Sequence, residues 1–536
     1  MSSWIQIGDD IAGQQTGEEF GGRVDINNDG TIIASSAPEH DNSKGTARVY
    51  KYSGGSWSQL GSDIDGLADD NELEMVSLSD DGTRLLVAER GYEAGSDTDI
   101  TDAEGKIRVF EYNSGTSSWD QLGSDIDGKT NSQSGRSAKI NGDGTRIIIG
   151  GRFYDSPQPN IGVTQVFEYS GGNWSQLGSD LPGENQGDNF GAHVAINNAG
   201  NKIAITAPAY DNGGTSNTGK IYFYEYISGS WSANGTITGS VGNQKVNLVE
   251  LNESGDRVIF GSSNEEEVYV YENTSGSTWS QLGNTISGTG DVPGTFPCDI
   301  NGQGNIIVVG EQNTDDGGTD RGKITMYEYN SGTSNWDIKQ TINGDANNSK
   351  FGNWASVNSL GDYIVVGASL HDTGGTDIGR TYIYYNSSYS SNSSDVSTSN
   401  VSTASASTTL KNEVVSDLNS IAGVSIDADD ISASSTIVSV QADVDYEFTV
   451  TIANVNLSDL SGAEQTSLIN VLKSRYATDL SIDSSRITIT LREGSIEADV
   501  EIGSSGGGGG GSGNGKTTVK LVGRITVKGT GKLTIK

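Results

Sequence analysis

A tryptophan-led motif, Trp57-Ser58-Gln59-Leu60-Gly61-Ser62-Asp63-Ile64-Asp65-Gly66, occurs in seven copies within the first 385 residues, and few folds accommodate such a pattern. The copies begin at Trp4, Trp57, Trp119, Trp174, Trp231, Trp279 and Trp336. Spacings of 53, 62, 55, 57, 48 and 57 residues are too irregular for stacked helical pairs but suit small sheets whose loops vary in length. Between copies the order is fixed: a short strand, a turn ending in Gly, an apolar strand, a Gly/Asp/Asn loop and an aromatic strand. In the first unit these are residues 23 to 26, Asn27-Asn28-Asp29-Gly30, residues 31 to 35, the loop through Asp41 to Gly45, and residues 47 to 52. The Trp motif supplies a fourth strand. Four short strands with turn signals roughly every 8 to 12 residues describe one blade of a β-propeller, so the sequence predicts a mainly β chain with seven blades.

The two ends of this region complement each other. Trp4-Ile5-Gln6-Ile7-Gly8 precedes any other strand, whereas the seventh unit stops at Tyr382-Ile383-Tyr384-Tyr385 with no Trp motif after it. The N-terminal strand is therefore expected to become the outer strand of the last blade, pairing with residues 381 to 385 and removing an exposed edge.

Composition narrows the function classes. The 70 acidic against 33 basic residues give a net charge of −37, which argues against nucleic acid as a partner. Cys298 is the one cysteine, so no intrachain disulfide exists. With 74 Gly and 7 Pro the chain is turn-rich without being proline-rich. No stretch is long and apolar enough to insert in a membrane, and residues 1 to 4 run straight into the repeat without an export signal. Three expectations follow: export by another route, a leader already removed, or a protein assembled in a cell and released on a particle. His40, His193 and His371 fall in different repeats, which argues against a histidine-rich metal centre, and no nucleophile elbow, phosphate loop or zinc-protease motif is present.

Phe20-Gly21, Phe190-Gly191 and Phe351-Gly352 open three first strands, second strands end in Ala37-Pro38 and Ala207-Pro208, and Gly219-Lys220-Ile221-Tyr222-Phe223 typifies the third. On these residues the region from about 4 to 385 resembles the FG-GAP-like repeats of integrin alpha chains and secreted microbial proteins. That resemblance implies a seven-bladed propeller and, in some turns, calcium. Asp25, Asn27 and Asp29 carry the first three ligand types of such a turn, while the remaining turns have too few carboxylates for a cation that prefers about six to eight oxygens. A plain hairpin turn is the bland alternative, and no other cofactor is expected. Longer loops between second and third strands repeat as Asp315-Asp316-Gly317-Gly318-Thr319-Asp320 and Asp372-Thr373-Gly374-Gly375-Thr376-Asp377, with Asp211-Asn212-Gly213-Gly214-Thr215 a third. All should emerge on one rim, which makes Asp211, Asp315, Asp316, Asp320, Asp372 and Asp377 candidate binding-loop residues against the alternative of solvated connections.

Residues 386–409 form a Ser/Thr/Asn-rich linker. Residues 410–502 read as a small α+β module. Leu410, Val414, Leu418 and Ile421 recur at helical spacing, residues 446 to 455 read as a strand, Ser461 to Glu464 is a capping box before a second helix, and residues 486 to 491 with 495 to 502 read as a hairpin. The closing residues, Ser485-Arg486-Ile487-Thr488-Ile489-Thr490-Leu491 and Gly494 to Val500, look like a SEA-like module of marine algal and large algal-virus proteins. A glycine-rich hinge spans 503–515. The tail 516–536 puts Lys516, Lys520, Arg524, Lys528, Lys532 and Lys536 at even positions and Val519, Leu521, Ile525, Val527, Leu533 and Ile535 at odd ones. In a strand that gives one cationic and one apolar face. The tail carries +6, leaving −43 (−37 minus +6) on residues 1–515. Lys520, Arg524, Ile525, Val527, Lys528, Leu533 and Ile535 are the expected assembly anchor, joining a partner subunit or second copy by strand addition. The alternative is a tail that completes the module's own sheet.

These readings converge on a non-enzymatic, surface-displayed binding or structural protein, in the first place a virion surface spike or fibre component. Its propeller head would meet cell-surface glycans or proteins, and its C-terminal region would meet other subunits of the particle. A secreted or cell-surface adhesin of a marine microbe is second, and a propeller enzyme acting on glycans through two channel carboxylates is third.

Overall fold

A computed structural model describes residues 3–92, 103–262, 266–288, 297–372 and 374–390, together with five strands between 431 and 523. The chain divides into two compact units, Met1–Ser393 and Ser394–Lys536.

The first unit is a seven-bladed β-propeller. In the first blade Val24–Ile26, Ile32–Ala37, Thr46–Ser53 and Ser56–Gln59 pair antiparallel in chain order. The second to sixth blades repeat that order. In the seventh, Ala355–Val357, Tyr363–Ala368 and Arg380–Tyr385 are completed by the N-terminal strands Ile5–Gln6 and Ile11–Ala12. Ile5 lies opposite Tyr385 and Ile11 opposite Thr381, the closure expected from the sequence.

The spacing inside the Trp motif follows from contacts between blades. From Trp57 onward, each of the six motif tryptophans sits on an outer strand and its indole N–H donates to the carbonyl of the third residue after the preceding motif tryptophan. Trp57 reaches Ile7 (3.1 Å), Trp119 reaches Leu60 (2.7 Å) and Trp174 reaches Leu122 (2.8 Å). Trp231, Trp279 and Trp336 reach Leu177, Asn234 and Leu282 in the same way. The glycine one residue later is required by this contact. At Gly123, with φ of 77°, a Cβ would lie 2.9 Å from Trp174 Cδ1, so both the backbone conformation and the approach of the ring favour glycine.

The seam between the sixth and seventh blades departs from the rule, because Gln340 occupies the glycine position. Its side chain clasps the Trp4 backbone, accepting from the Trp4 N–H (2.8 Å) and donating to its carbonyl (3.0 Å). The Trp4 ring stacks on Tyr389 at 4.9 Å, and its indole N–H is buried with no acceptor.

Turns between first and second strands form a second ring around the axis. Asn28 N–H donates to Asp80 O, Asp80 to Gly142, Gly142 to Asn198, Asn198 to Glu253, Glu253 to Gly302 and Gly302 to Ser359. Asn358 Nδ2 closes the circle on Asn28 O (2.9 Å).

In the second unit Ile431–Val440 pairs with Asp443–Ile452, and Ile487–Arg492, Glu497–Ile502 and Val519–Gly523 form a three-stranded sheet. The sequence reading places one strand at 446 to 455, whereas two paired strands occupy 431 to 452. Both expected helices lie outside the described residues.

Candidate functional site

The first strand of every blade lines the central channel. Two residues before the turn, the seven blades place Asp25, Ser77, Lys139, Ala195, Glu250, Asp299 and Ser356 at one level. Lys139 Nζ meets Glu250 Oε1 at 2.8 Å, reaching past the fourth blade, where Ala195 leaves room. Ser356 Oγ lies 2.8 Å from Asp299 Oδ2 and 3.2 Å from Asp25 Oδ1. Burial pushes the Glu250 carboxyl up to about 7, more than Lys139 offsets, and raises Asp299 as well. The Lys139 ammonium is itself held above the usual lysine value, because Glu250, Asp25 and Asp299 outweigh the cost of burying it.

At the mouth where second strands end and first strands begin, four arginines converge. Arg23 precedes Val24–Ile26 and Arg136 precedes Ser137–Ile140, while Arg90 and Arg152 follow Arg84–Glu89 and Arg146–Gly151. Antiparallel pairing brings these four strand ends to one face. Arg23 pairs with Glu74, and Arg90 pairs with Glu72 and, through Nε at 3.3 Å, with Glu74. Burial alone would raise Glu74, yet the four guanidiniums hold it below the usual carboxylate range. His193 is pushed down to about 3 by burial and by Arg23, Arg136 and Arg152, so it stays neutral. A cleft of about 610 Å³ opens here, lined by Arg90, Asn131, Gln133, Arg136, Arg152, Phe153, Asp155 and Asn160.

The candidate residues from the sequence have other partners. Asp29 Oδ1 accepts from the Thr31 N–H (3.0 Å) and hydroxyl and from Asn27 Nδ2 (2.8 Å), while Asn27 Oδ1 accepts the Ile32 N–H (2.8 Å). Asp25 turns away into the channel, where its Oδ2 takes the Leu78 N–H at 2.8 Å. The three residues share one turn, and Asp29 Oδ1, Asn27 Oδ1 and both Asp25 oxygens accept from protein donors, with Asp25 directed away from the other two. A second acidic group, His40, Asp63 and Asp65, has ligand atoms within 4.8 Å of one another. Arg48 already supplies its cation, with Nε 2.9 Å from Asp63 Oδ2.

Asp211, Asp315 and Asp372 each use Oδ1 to accept a backbone N–H across their own loop, from Asn217, Asp320 and Asp377. Asp320 and Asp377 adopt positive φ, and Asp320 pairs with Lys350 at 3.0 Å. Asp316 is exposed. These loops leave the second strands on the same face as the arginine mouth, and the side chains of four of the six aspartates, Asp211, Asp315, Asp320 and Asp372, organise loop backbone or an ion pair there. In the second unit Lys520 stands opposite Glu501 in the sheet, so the described piece of the tail pairs within its own chain. Arg524, Ile525, Val527, Lys528, Leu533 and Ile535 lie outside the described residues.

Sequence reasoning missed the arginine mouth. The sequence offers only a partial signal, in that Arg23, Arg90, Arg136 and Arg152 each flank a strand end; that they share one face follows from the strand pairing.

No family model matches the chain, and no curated protein sequence matches it. Among solved structures it is similar to the β-propeller domain of Myceliophteria thermophila Cps50 (Swd1), with 9% identity and a TM-score of 0.46 over 72% of this chain and 99% of that one. It is also similar to the RRP9 WD40 repeats, with 11% identity and a TM-score of 0.46 over 72% and 100%. A periplasmic gluconolactonase of Pseudomonas aeruginosa gives 11% and 0.44 over 61% and 86%. A WD40 protein and a lactonase stand side by side in this group, and no activity transfers from either.

Proposed function

We propose that the chain is a non-enzymatic binding protein: a head of FG-GAP-like repeats displayed on a surface, in the first place that of a virion, and joined to its particle through a SEA-like module and basic tail. The observation that carries this reading is the channel mouth, where groups suited to holding a ligand gather while the carboxylates beside them are committed. Glu72 and Glu74 are tied to Arg23 and Arg90, so neither is placed as a free general base. Guanidiniums, side-chain amides and an aromatic ring remain to face a ligand. Loops on the same face, braced by Asp211, Asp315 and Asp372, give it a rigid frame.

Two measurements test the reading. An antibody against the propeller should label intact particles from the native source, and a panel of polysaccharides incubated with the full-length chain should show retention without product. Product release that disappears in Glu250→Gln would overturn the non-enzymatic reading. Failure to label any particle or cell surface would overturn the display reading.

A further inference from the structure

We propose that the cleft beside the second and third blades binds the acidic group of a carbohydrate, a carboxylate or a sulfate, with Arg136 and Arg152 as the clamp. This rests on the binding-head reading and names its ligand class.

The first argument is charge balance. Four guanidiniums share two carboxylates at the mouth, and Arg23 and Arg90 take both. Among the described residues Arg136 and Arg152 have no carboxylate partner, in a chain with 70 acidic residues to spare. Arg152 Nε is buried with no acceptor. Burial and the neighbouring arginines push both guanidiniums below the usual arginine value, Arg152 to about 10. An anion seated between them would remove that repulsion and accept from two planar forks, the geometry that carboxylate and sulfate oxygens suit.

The second argument is the rest of the lining. Asn131, Gln133 and Asn160 offer side-chain amides, which both donate to and accept from hydroxyls, and Phe153 offers an aromatic ring under Arg152, 4.2 Å from the guanidinium. Amides and a ring fit a sugar better than a bare inorganic ion. Asp155 also lines the cleft, but its Oδ1 is held by the Asn160 N–H at 2.7 Å. A volume of about 610 Å³ is within the range of small-ligand pockets. The net charge of −37 repels an extended polyanion, whereas a single acidic sugar needs only the local field.

The test is calorimetric titration of the full-length chain with a glucuronate disaccharide, a sulfated galactose disaccharide, neutral lactose and sodium sulfate, at about 0.05 M and about 0.2 M salt. At least one acidic sugar should bind about tenfold or more tightly than lactose and sulfate, and more weakly at the higher salt. Arg136→Gln and Arg152→Gln should each weaken that binding about tenfold or more. Arg257→Gln, which breaks an ion pair with Glu272 on the opposite face, should leave it unchanged. If a glutamine variant does not fold, Arg136→Lys and Arg152→Lys keep the charge, lose the fork and should still weaken binding. Equal affinity for acidic and neutral sugars, unchanged affinity in the arginine variants, sulfate binding as tightly as the sugars, or no binding at all would each overturn the proposal. Turnover of a bound sugar would instead overturn the non-enzymatic reading and leave an arginine-dependent clamp standing.

Discussion

The outer rim and the central channel of this propeller are built on opposite principles. Around the rim one contact is made six times over: an indole N–H on the preceding blade's carbonyl, with a glycine beside the ring. In the channel a single level carries Asp25, Ser77, Lys139, Ala195, Glu250, Asp299 and Ser356, and those side chains differ in charge, size and polarity. Repetition marks what the ring needs from every blade, since each blade must meet the next at the same angle. Variation at an equivalent position marks what only one site of the molecule needs.

The sharpest way to break this comparison is at the rim's one irregular seam. Deleting residues 1 to 8 removes buried Trp4, its clasp by Gln340, its stack on Tyr389 and the pairing of Ile5–Gln6. A loss of about 5 kcal/mol or more is expected, the scale of losing a buried tryptophan plus strand contacts. Guanidinium unfolding of the truncated chain measures it, and an unchanged midpoint would show that the seventh blade closes without its outer N-terminal strand. A smaller effect is expected where the pattern is regular. Gly123→Ala places a Cβ against the Trp174 ring in a left-handed backbone conformation, costing about 2 to 4 kcal/mol. Gly171→Ala, also left-handed (φ 63°) but with open space around it, should cost about 1 kcal/mol. Equal losses at the two glycines would remove the ring contact as the reason for the motif.

The channel gives the smallest effect, and one that depends on pH. The Glu250 carboxyl moves from an ordinary 4.5 up to about 7 on folding. Between those values the folded chain holds a proton that the unfolded chain has released, so stability falls as pH rises from about 4.5 to about 7 and is level above. His193, held neutral down to about 3, acts in the other direction below its ordinary 6.5, so the comparison must be with a variant. The stability of the native chain relative to Glu250→Gln should decline by on the order of 1 to 2 kcal/mol across that window, after allowance for water in the channel. Parallel pH profiles for the two proteins would show that Glu250 titrates as it does in the unfolded chain.

This contrast also explains what could be read in the sequence. The rim is legible because six interblade contacts repeat the same Trp and Gly spacing, and the closing strand follows from a Trp motif present at one end and missing at the other. The arginine mouth is illegible for the complementary reason. Arg23, Arg90, Arg136 and Arg152 each occur once, in three different blades, and only antiparallel pairing brings them to one face. The Asp25, Asn27 and Asp29 turn reads in sequence as a cation loop or as a plain hairpin, and in the fold its side chains serve as hydrogen-bond acceptors for the turn and the channel. In the loops that leave the second strands, Asp211, Asp315 and Asp372 each use Oδ1 to hold their own loop backbone, a role that position in the sequence does not reveal.

The closing strand has a mechanical consequence. The chain leaves the propeller from Arg380–Tyr385, which is hydrogen-bonded on one side to Tyr363–Ala368 and on the other to Ile5–Gln6 and Ile11–Ala12. Tension arriving from residues beyond 390 therefore loads an interior strand along its length, so that many hydrogen bonds share the force. A chain leaving from an outer strand would unzip one bond at a time. Tyr389 stacks on Trp4 just past that strand, so the residues that close the ring non-covalently also flank the point where the chain leaves it.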